Sequence, residues 1–148
     1  MPQHHEFPFD DPRQNPGYLL WQVTMKWQRA MTQALGEHGL THTQFVILAA
    51  LRWLNLQGQP ITKSDVARNA NVDRMMASKI IRALSKRGLI DEEPHPTSKR
   101  AQQVRLTEDG KSAFRAALVT VGTVDAQFFG DQLPEVVSVL QELEGREV

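Results

Sequence analysis

The sequence predicts a mainly α-helical fold that contains one small β-hairpin. Apolar residues recur every three or four positions along most of the chain, whereas residues 102–106 alternate as a strand does. The 148 residues suffice for one domain with extensions, and the absence of cysteine excludes disulfides and thiolate chemistry. The longest apolar run, residues 45–51, is far shorter than the roughly 20 residues of a membrane span. We therefore expect a cytoplasmic protein without a membrane partner.

The chain begins with an arm and a long helix. Residues 1–17 contain four of the eight prolines and lack a secretion signal, so we interpret them as a flexible arm. Residues 18–36 carry two apolar stripes, the first with Leu20, Val23, Trp27, Met31 and Ala34 and the second with Trp21 and Met25. Two stripes indicate two packing partners. We therefore predict a dimerisation helix, although a broad contact within one subunit is an alternative.

The next segment predicts two helices joined by a tight turn. Capping boxes at residues 41–44 and 62–65 begin a central helix over residues 42–55 and a short helix of at most two turns. Residues 69–72 allow only a tight turn, after which Asp73 caps a longer helix that ends before Gly88. Such a unit is a helix-turn-helix, whose second helix can enter a DNA major groove.

A hairpin and two further helices follow. Residues 89–93 predict one strand, residues 97–101 a basic tip, and residues 102–106 a second strand. The whole fold is thus predicted to be a winged helix-turn-helix domain over residues 41–106, flanked by N- and C-terminal dimerisation helices. The C-terminal pair spans residues 107–146, where Thr107 caps the first helix. Its expected apolar stripes contain Phe114, Leu118, Val121 and Phe128, then Val136, Val137, Leu140 and Leu143.

Charge is sorted along the chain although 17 basic residues balance 17 acidic ones. Residues 62–105 contain ten basic and five acidic side chains, whereas residues 106–148 contain three basic and eight acidic ones. An excess of positive charge on the helix-turn-helix and the hairpin indicates a polyanionic partner, double-stranded DNA above all.

The order of these elements resembles the MarR family of dimeric bacterial transcription regulators. The resemblance rests on Gly39-Leu40-Thr41-x-x-Gln44-Phe45, Leu84-x-x-Arg87-Gly88-Leu89-Ile90, and Arg100-Ala101 followed by Leu106-Thr107-x-x-Gly110. It implies a homodimer, one DNA-reading head on each subunit, and a small-molecule pocket between the heads. The wing departs from the family pattern, because Ser98 and His95 stand where family wings carry acidic residues.

Candidate DNA contacts lie on three elements. On the second helix of the unit, a core stripe of Ala77, Ile80, Ile81 and Leu84 leaves the opposite face for DNA. We predict contacts from this face, from the start of the first helix and from the wing tip. These candidates are Thr62, Lys63, Ser64, Arg74, Met75, Ser78, Lys79, Arg82, Lys99 and Arg100. A solvated helix face is the alternative reading of the charged residues, and capping alone explains Thr62.

A small aromatic or amphipathic effector is the second predicted partner. Trp21, Met25, Phe45 and Trp53 are the candidates for its pocket near the dimer junction, with ordinary core packing as the alternative. We predict no cofactor and no metal site: His38 and His42 are four residues apart, but Gly39 and the cap at Thr41 interrupt any helix between them. His4 and His5 lie in the arm.

These features predict a homodimeric, sequence-specific DNA-binding regulator that acts as a repressor and is released by a small-molecule effector. A winged-helix module for protein interaction is the alternative, and it would have a reading helix poor in basic groups. An enzyme is not expected, because the sequence contains no Ser-His, HExxH, Walker or GxGxxG pattern.

Overall fold

The computed structural model describes residues 6–148, so His4 and His5 lie outside the described residues. The described residues form six α-helices and one antiparallel hairpin, which confirms the predicted fold class. The helices are α1 (Pro16–Gly36), α2 (His42–Asn55), α3 (Lys63–Ala70), α4 (Arg74–Lys86), α5 (Glu108–Phe129) and α6 (Leu133–Glu144). The strands are β1 (Ile90–Pro94) and β2 (Gln102–Leu106). Within residues 6–148, no helix is long and apolar enough to span a membrane.

Both predicted capping boxes are present. At the start of α2, Thr41 Oγ1 accepts from Gln44 N at 3.1 Å, and Gln44 Oε1 accepts from Thr41 N at 3.1 Å. At the start of α3, Thr62 Oγ1 accepts from Asp65 N at 3.2 Å, and Asp65 Oδ2 accepts from Thr62 N at 2.9 Å. Each box satisfies backbone donors that the first helical turn leaves unpaired, and this is why both helices begin where the sequence predicts.

Two helix boundaries differ from the prediction. Helix α1 begins at Pro16, because Asn15 Oδ1 caps it by accepting from Tyr18 N at 2.7 Å. Helix α3 continues to Ala70 instead of ending near residue 67, so the turn before α4 is shorter than expected. Asn71 makes that turn with a φ of 53°, a left-handed conformation that asparagine tolerates better than most residues.

The main core lies between α2, α3, α4 and the hairpin. Its fully buried side chains include Leu48, Leu51, Val66, Ile81, Leu84 and Val104. Asn55, at the end of α2, ties β2 to this core: its Nδ2 donates to Val104 O at 3.4 Å, and its Oδ1 accepts from Leu106 N at 3.2 Å. The wing is therefore fixed to the helix-turn-helix through the backbone of β2.

Helices α1, α5 and α6 leave much apolar surface uncovered within one subunit. On α5, Leu118 of the predicted apolar stripe is exposed, whereas the small Ala117 beside it is buried where α5 lies close to the main core. Helix α6 has no buried residue. Its Val137, Leu140 and Leu143 are all exposed. An amphipathic helix whose apolar side meets solvent lacks a packing partner in the same subunit.

Candidate DNA-binding surface

Helix α4 presents one face to the core and the opposite face to solvent. Ala77, Ile81 and Leu84 are buried, as the predicted core stripe requires. The side chains at positions 74, 75, 79 and 82 are exposed, and Met75 reaches 82% of its full exposure. Ser78 is half-buried among them. Three cations and one flexible thioether therefore project from a single helix face, an arrangement able to contact phosphates and base edges.

The first turn of α4 is held by Asp73. Its Oδ1 accepts from Met75 N at 2.8 Å, and its Oδ2 lies 3.4 Å from the donor Met76 N. Because this cap fixes the direction in which the helix begins, it also fixes where Arg74 and Met75 project. These two residues stand at the N-terminal end of α4, the part of a recognition helix that usually lies nearest the bases.

The structure brings five of the ten predicted DNA-binding residues to one cleft. A cleft of about 340 Å³ lies between the start of α3, the start of α4 and the base of the wing. Its lining residues are Thr62, Lys63, Ser64, Arg74, Arg100, Ala101 and Gln102. Gln102 was missed by the sequence reasoning, although its position as the exposed first residue of β2, directly after the basic tip, could have identified it.

The wing is joined to α3 as well as to the core. Val104 N donates to Ile61 O at 2.8 Å, and Thr62 pairs with Gln103 as an isolated antiparallel bridge. Lys63 Nζ lies 3.2 Å from Glu92 Oε1, and both side chains are about one-quarter exposed. These contacts hold the hairpin and α3 in a fixed relative position, so that the cleft between them keeps its shape.

Lys63 differs from the other cations among the predicted contacts, because within residues 6–148 it alone forms an ion pair with a carboxylate. Its ion pair with Glu92 is partly shielded from water, so a phosphate would have to compete with the carboxylate for the ammonium group. Arg87, which was not predicted to contact DNA, donates from its guanidinium to Gly39 O at 2.9 Å. This bond gives Arg87 a structural role at the end of the loop between α1 and α2.

The four candidates for an effector pocket are not gathered in one subunit. Phe45 is buried in the main core, where its ring stacks on Phe114 with centroids 5.8 Å apart. Trp21 and Trp53, by contrast, are 64% and 60% exposed. Met25 is half-buried on α1. Ordinary core packing therefore accounts for Phe45, and a pocket that used both tryptophans would need walls from outside one subunit.

A polar junction connects α1, α2 and α5. Trp27 Nε1 donates to Asp125 Oδ1 at 2.8 Å, and the ring of His42 meets the Trp27 indole edge-on with centroids 4.9 Å apart. Burial lowers the pKa of His42, and the negative charge of Asp125 opposes that shift. His38 Nε2 lies 2.7 Å from Thr120 Oγ1. Both histidines thus have partners in the fold, and within residues 6–148 no group of three or more His, Asp or Glu side chains could hold a metal ion.

Comparison with known proteins identifies this architecture. A model of the MarR family matches residues 40–101. The HTH-type transcriptional regulator YdcH of Bacillus subtilis is 38% identical over 137 residues, which cover 91% of this chain and 93% of YdcH. The structure of BpsR of Bordetella bronchiseptica, described with the regulation of its DNA binding by 6-hydroxynicotinic acid, gives a TM-score of 0.82 at 22% identity. That match covers 95% of this chain and 100% of BpsR.

A solved DNA complex is also similar. The MarR family protein Rv2887 of Mycobacterium tuberculosis, solved with DNA, gives a TM-score of 0.71 at 26% identity, with 89% of this chain and 98% of Rv2887 covered. Rv2887 is named a transcriptional repressor. These relatives are transcriptional regulators and not enzymes, in agreement with the sequence prediction. The extent of the match to YdcH, together with the family model over the helix-turn-helix and wing, shows that the chain belongs to the MarR family of transcriptional regulators.

Proposed function

We propose that this regulator acts as a homodimer that binds a pseudo-palindromic DNA operator in a sequence-specific manner. The observation that carries the proposal is the cleft shared by the start of α3, the start of α4 and the wing, where Arg74 and Arg100 line one surface. Helix α4 would read base edges in the major groove, and the wing tip would enter the adjacent minor groove. Residues 41–106 would be the DNA-binding domain.

The ten predicted contacts have different roles in this proposal. Arg74 and Met75 would contact base edges, because they project from the first turn of α4 and are exposed. Ser78, Lys79 and Arg82 would follow the groove and the phosphates beside it. Thr62, Lys63 and Ser64 would contact phosphates at the start of α3. At the wing tip, Arg100 would reach the minor groove, whose negative potential is strongest where it is narrow, and Lys99 would contact the phosphates beside it.

Exposed apolar surface supports the homodimer. Val137, Leu140 and Leu143 of α6 and Leu20 and Val23 of α1 are all more than 40% exposed in one subunit. Burial of these side chains against a second copy would be favourable by about 25 cal/mol per Å² of apolar surface. We assign dimerisation to residues 18–36 and 107–146, because these segments carry the uncovered faces.

Two observations on relatives support the proposal that this protein is a repressor and that an effector releases it from DNA. Rv2887 is named a repressor, and the DNA binding of BpsR is regulated by 6-hydroxynicotinic acid. For this chain we infer an aromatic or amphipathic effector that binds near the dimer junction, where Trp21 and Met25 lie on the helix assigned to dimerisation. A ligand that changed the spacing of the two heads would weaken both DNA contacts together.

Selection of bound duplexes from random DNA tests this function. The proposal predicts recovery of an inverted repeat whose half-sites are about 34–36 Å apart along the duplex. Recovery of no repeat, with weak binding that depends only on salt, would contradict sequence-specific recognition. It would favour a protein-interaction module instead, although the exposed cations Arg74, Lys79 and Arg82 on α4 favour DNA.

A further inference from the structure

The loop at the tip of the wing is closed by side chains. Nδ1 of His95 accepts from the backbone N–H of Ser98 at 3.1 Å and of Thr97 at 3.2 Å, and Thr97 Oγ1 lies 3.3 Å from the same atom. Ser98 Oγ accepts from Ala101 N at 3.3 Å. His95 N donates to Ala101 O, also at 3.3 Å. The imidazole of His95 and the hydroxyl group of Ser98 therefore hold the two ends of the loop together by hydrogen bonds.

This closure determines how the two cations at the tip are presented. Lys99 and Arg100 are the central residues of the four-residue turn from Ser98 to Ala101, whose two ends are joined by the serine hydroxyl. Both cations are exposed, and Arg100 also lines the cleft that contains Arg74. A turn held at its ends limits the directions in which its central side chains can point, so the bonds of His95 and Ser98 restrict the orientations of Lys99 and Arg100.

An imidazole makes this closure sensitive to protonation. The two backbone donors require a lone pair on Nδ1, so the ring must be neutral and carry its proton on Nε2. A protonated ring has a donor at Nδ1 and cannot accept either bond. Asparagine and aspartate are the usual side chains that accept from backbone N–H groups two and three residues ahead. Unlike them, histidine normally changes its charge between about pH 5 and 8.

No other titratable side chain of the hairpin accepts the backbone hydrogen bonds that close the loop at the tip. Glu92 pairs with Lys63 of α3, and Glu93 Oε2 accepts from Gln103 Nε2 at 3.1 Å. Asp91 and Arg105 face each other across the strands, away from the tip. The remaining charged groups around the loop are the three cations Lys99, Arg100 and, across the cleft, Arg74. The hairpin contains no second imidazole.

We propose that His95 is a positioning residue of the wing: its neutral ring holds the loop that presents Lys99 and Arg100, and protonation opens that loop. The inference rests on the proposed DNA-binding function. Opening removes the contribution of the wing to sequence discrimination, because an inserted arginine recognises a narrow groove only from a defined position. The charge gained by His95 at the same time strengthens binding to DNA of any sequence. Acidification therefore lowers discrimination without abolishing DNA binding.

NMR on the free protein tests the closure without DNA. At about pH 7.5, the ¹⁵N shifts of His95 should show an unprotonated Nδ1, and the amides of Thr97 and Ser98 should be protected from exchange. At about pH 5.5 their protection factors should fall in the wild type and persist in His95→Asn, which offers an acceptor that does not titrate. A proton on Nδ1 at the higher pH, or protection that is independent of pH in the wild type, would overturn the proposal.

Competition between two operators tests the consequence for DNA. One operator is the selected sequence and the other has its A·T-rich wing flank replaced by G·C. The ratio of their affinities should fall about fivefold in the wild type between about pH 7.5 and 5.5, stay high in His95→Asn, and be low at both pH values in His95→Ala. An equal ratio at both pH values in the wild type, or a wild-type ratio in His95→Ala, would overturn the role of His95.

The two experiments separate this inference from the function on which it rests. A wild-type protein that binds all sequences equally at the higher pH contradicts the proposed function. The NMR experiment then decides by itself whether His95 closes the loop. A protein that discriminates well, but does so independently of position 95, contradicts the inference and leaves the proposed function intact.

Discussion

The indole Nε1 of Trp27 donates a 2.8 Å hydrogen bond to Oδ1 of Asp125, across 98 positions of the sequence. This bond joins α1 to α5, the two long helices that precede and follow the helix-turn-helix and the wing along the chain. The ring of His42 packs edge-on against the same indole at the first residue of α2. Three side chains in contact therefore link α1, α5 and the start of α2.

The first prediction concerns the pH dependence of stability. Burial lowers the pKa of His42 from its ordinary value of 6.5, so the folded protein holds the neutral ring more firmly than the unfolded chain does. The stability that this group contributes is present above about pH 6.5 and is lost as pH falls through the lowered pKa. Urea unfolding at several pH values in this range measures the effect. As pH falls, the free energy of unfolding should decrease less in His42→Gln than in the wild type, by at most about 1.4 kcal/mol per pH unit.

Asp125→Asn is the matched control for that prediction. It keeps an acceptor for Trp27 but removes the charge that raises the pKa of His42, so its loss of stability should extend to lower pH. Identical pH profiles for the wild type and His42→Gln would show that the ring is not held in its neutral form.

The second prediction concerns a close backbone approach at the start of α5. A Cβ atom at Gly110 would lie 2.0 Å from the backbone oxygen of Leu89, and a backbone atom cannot move aside cheaply. Gly110→Ala should lower the free energy of unfolding by about 3 kcal/mol or more. Gly122→Ala, where the added Cβ meets nothing within 4 Å in mid-helix, should instead raise it by about 1 kcal/mol. Chemical denaturation of both variants checks this; equal effects would refute the close approach.

The third prediction separates base reading from phosphate contact. Arg74→Ala should cost about 1–3 kcal/mol on the selected operator and relax the preference at one base position in each half-site. Lys99→Ala should weaken all sequences alike and make the salt dependence shallower by about one unit per subunit. Titrations of operator and random duplexes across salt measure both effects. Arg29→Ala, an exposed change on α1, serves as control, and if all three variants bound alike the assigned surface would be wrong.

The fourth prediction concerns the uncovered face of α6. Leu140→Asp replaces an apolar side chain that is exposed in one subunit with a charged one. If α6 forms the dimer interface, the variant should sediment as a monomer at micromolar concentration, because burial of the unpaired charge is unfavourable. Leu56→Asp, an equally drastic change on an exposed leucine at the end of α2, should leave the dimer intact. Dissociation by both variants, or by neither, would argue against α6 as the interface.

Local signals in the sequence predicted most of the fold. The caps at Thr41, Thr62, Asp73 and Thr107 are contacts between residues three or fewer positions apart, so they can be read directly from spacing. The same holds for the alternation that produces β2. The longer α3 was missed because its end depends on Asn71 in a left-handed conformation, which the sequence permits but does not require.

Contacts between distant residues were not predictable in this way. The periodicity of α5 placed Leu118 on its apolar stripe, but neighbouring elements decide which of the helix's side chains are buried within the chain, and these bury Ala117. The ion pair of Lys63 with Glu92 and the hydrogen bond of Trp27 with Asp125 join separate elements, so spacing could not reveal them. For the candidate DNA-binding surface, the residues were predicted by type and helix face, whereas the convergence of five of the ten on one cleft could be seen only in the fold.

The geometry of two reading heads on one dimer is tested most directly by a change in operator spacing. Insertion of about five base pairs between the half-sites turns one of them to the opposite face of the duplex. Affinity should then fall to that of a single half-site, whereas replacement of the central base pairs at unchanged spacing should have a much smaller effect. An affinity for the operator that is unchanged by the insertion would contradict simultaneous binding by two rigidly paired heads.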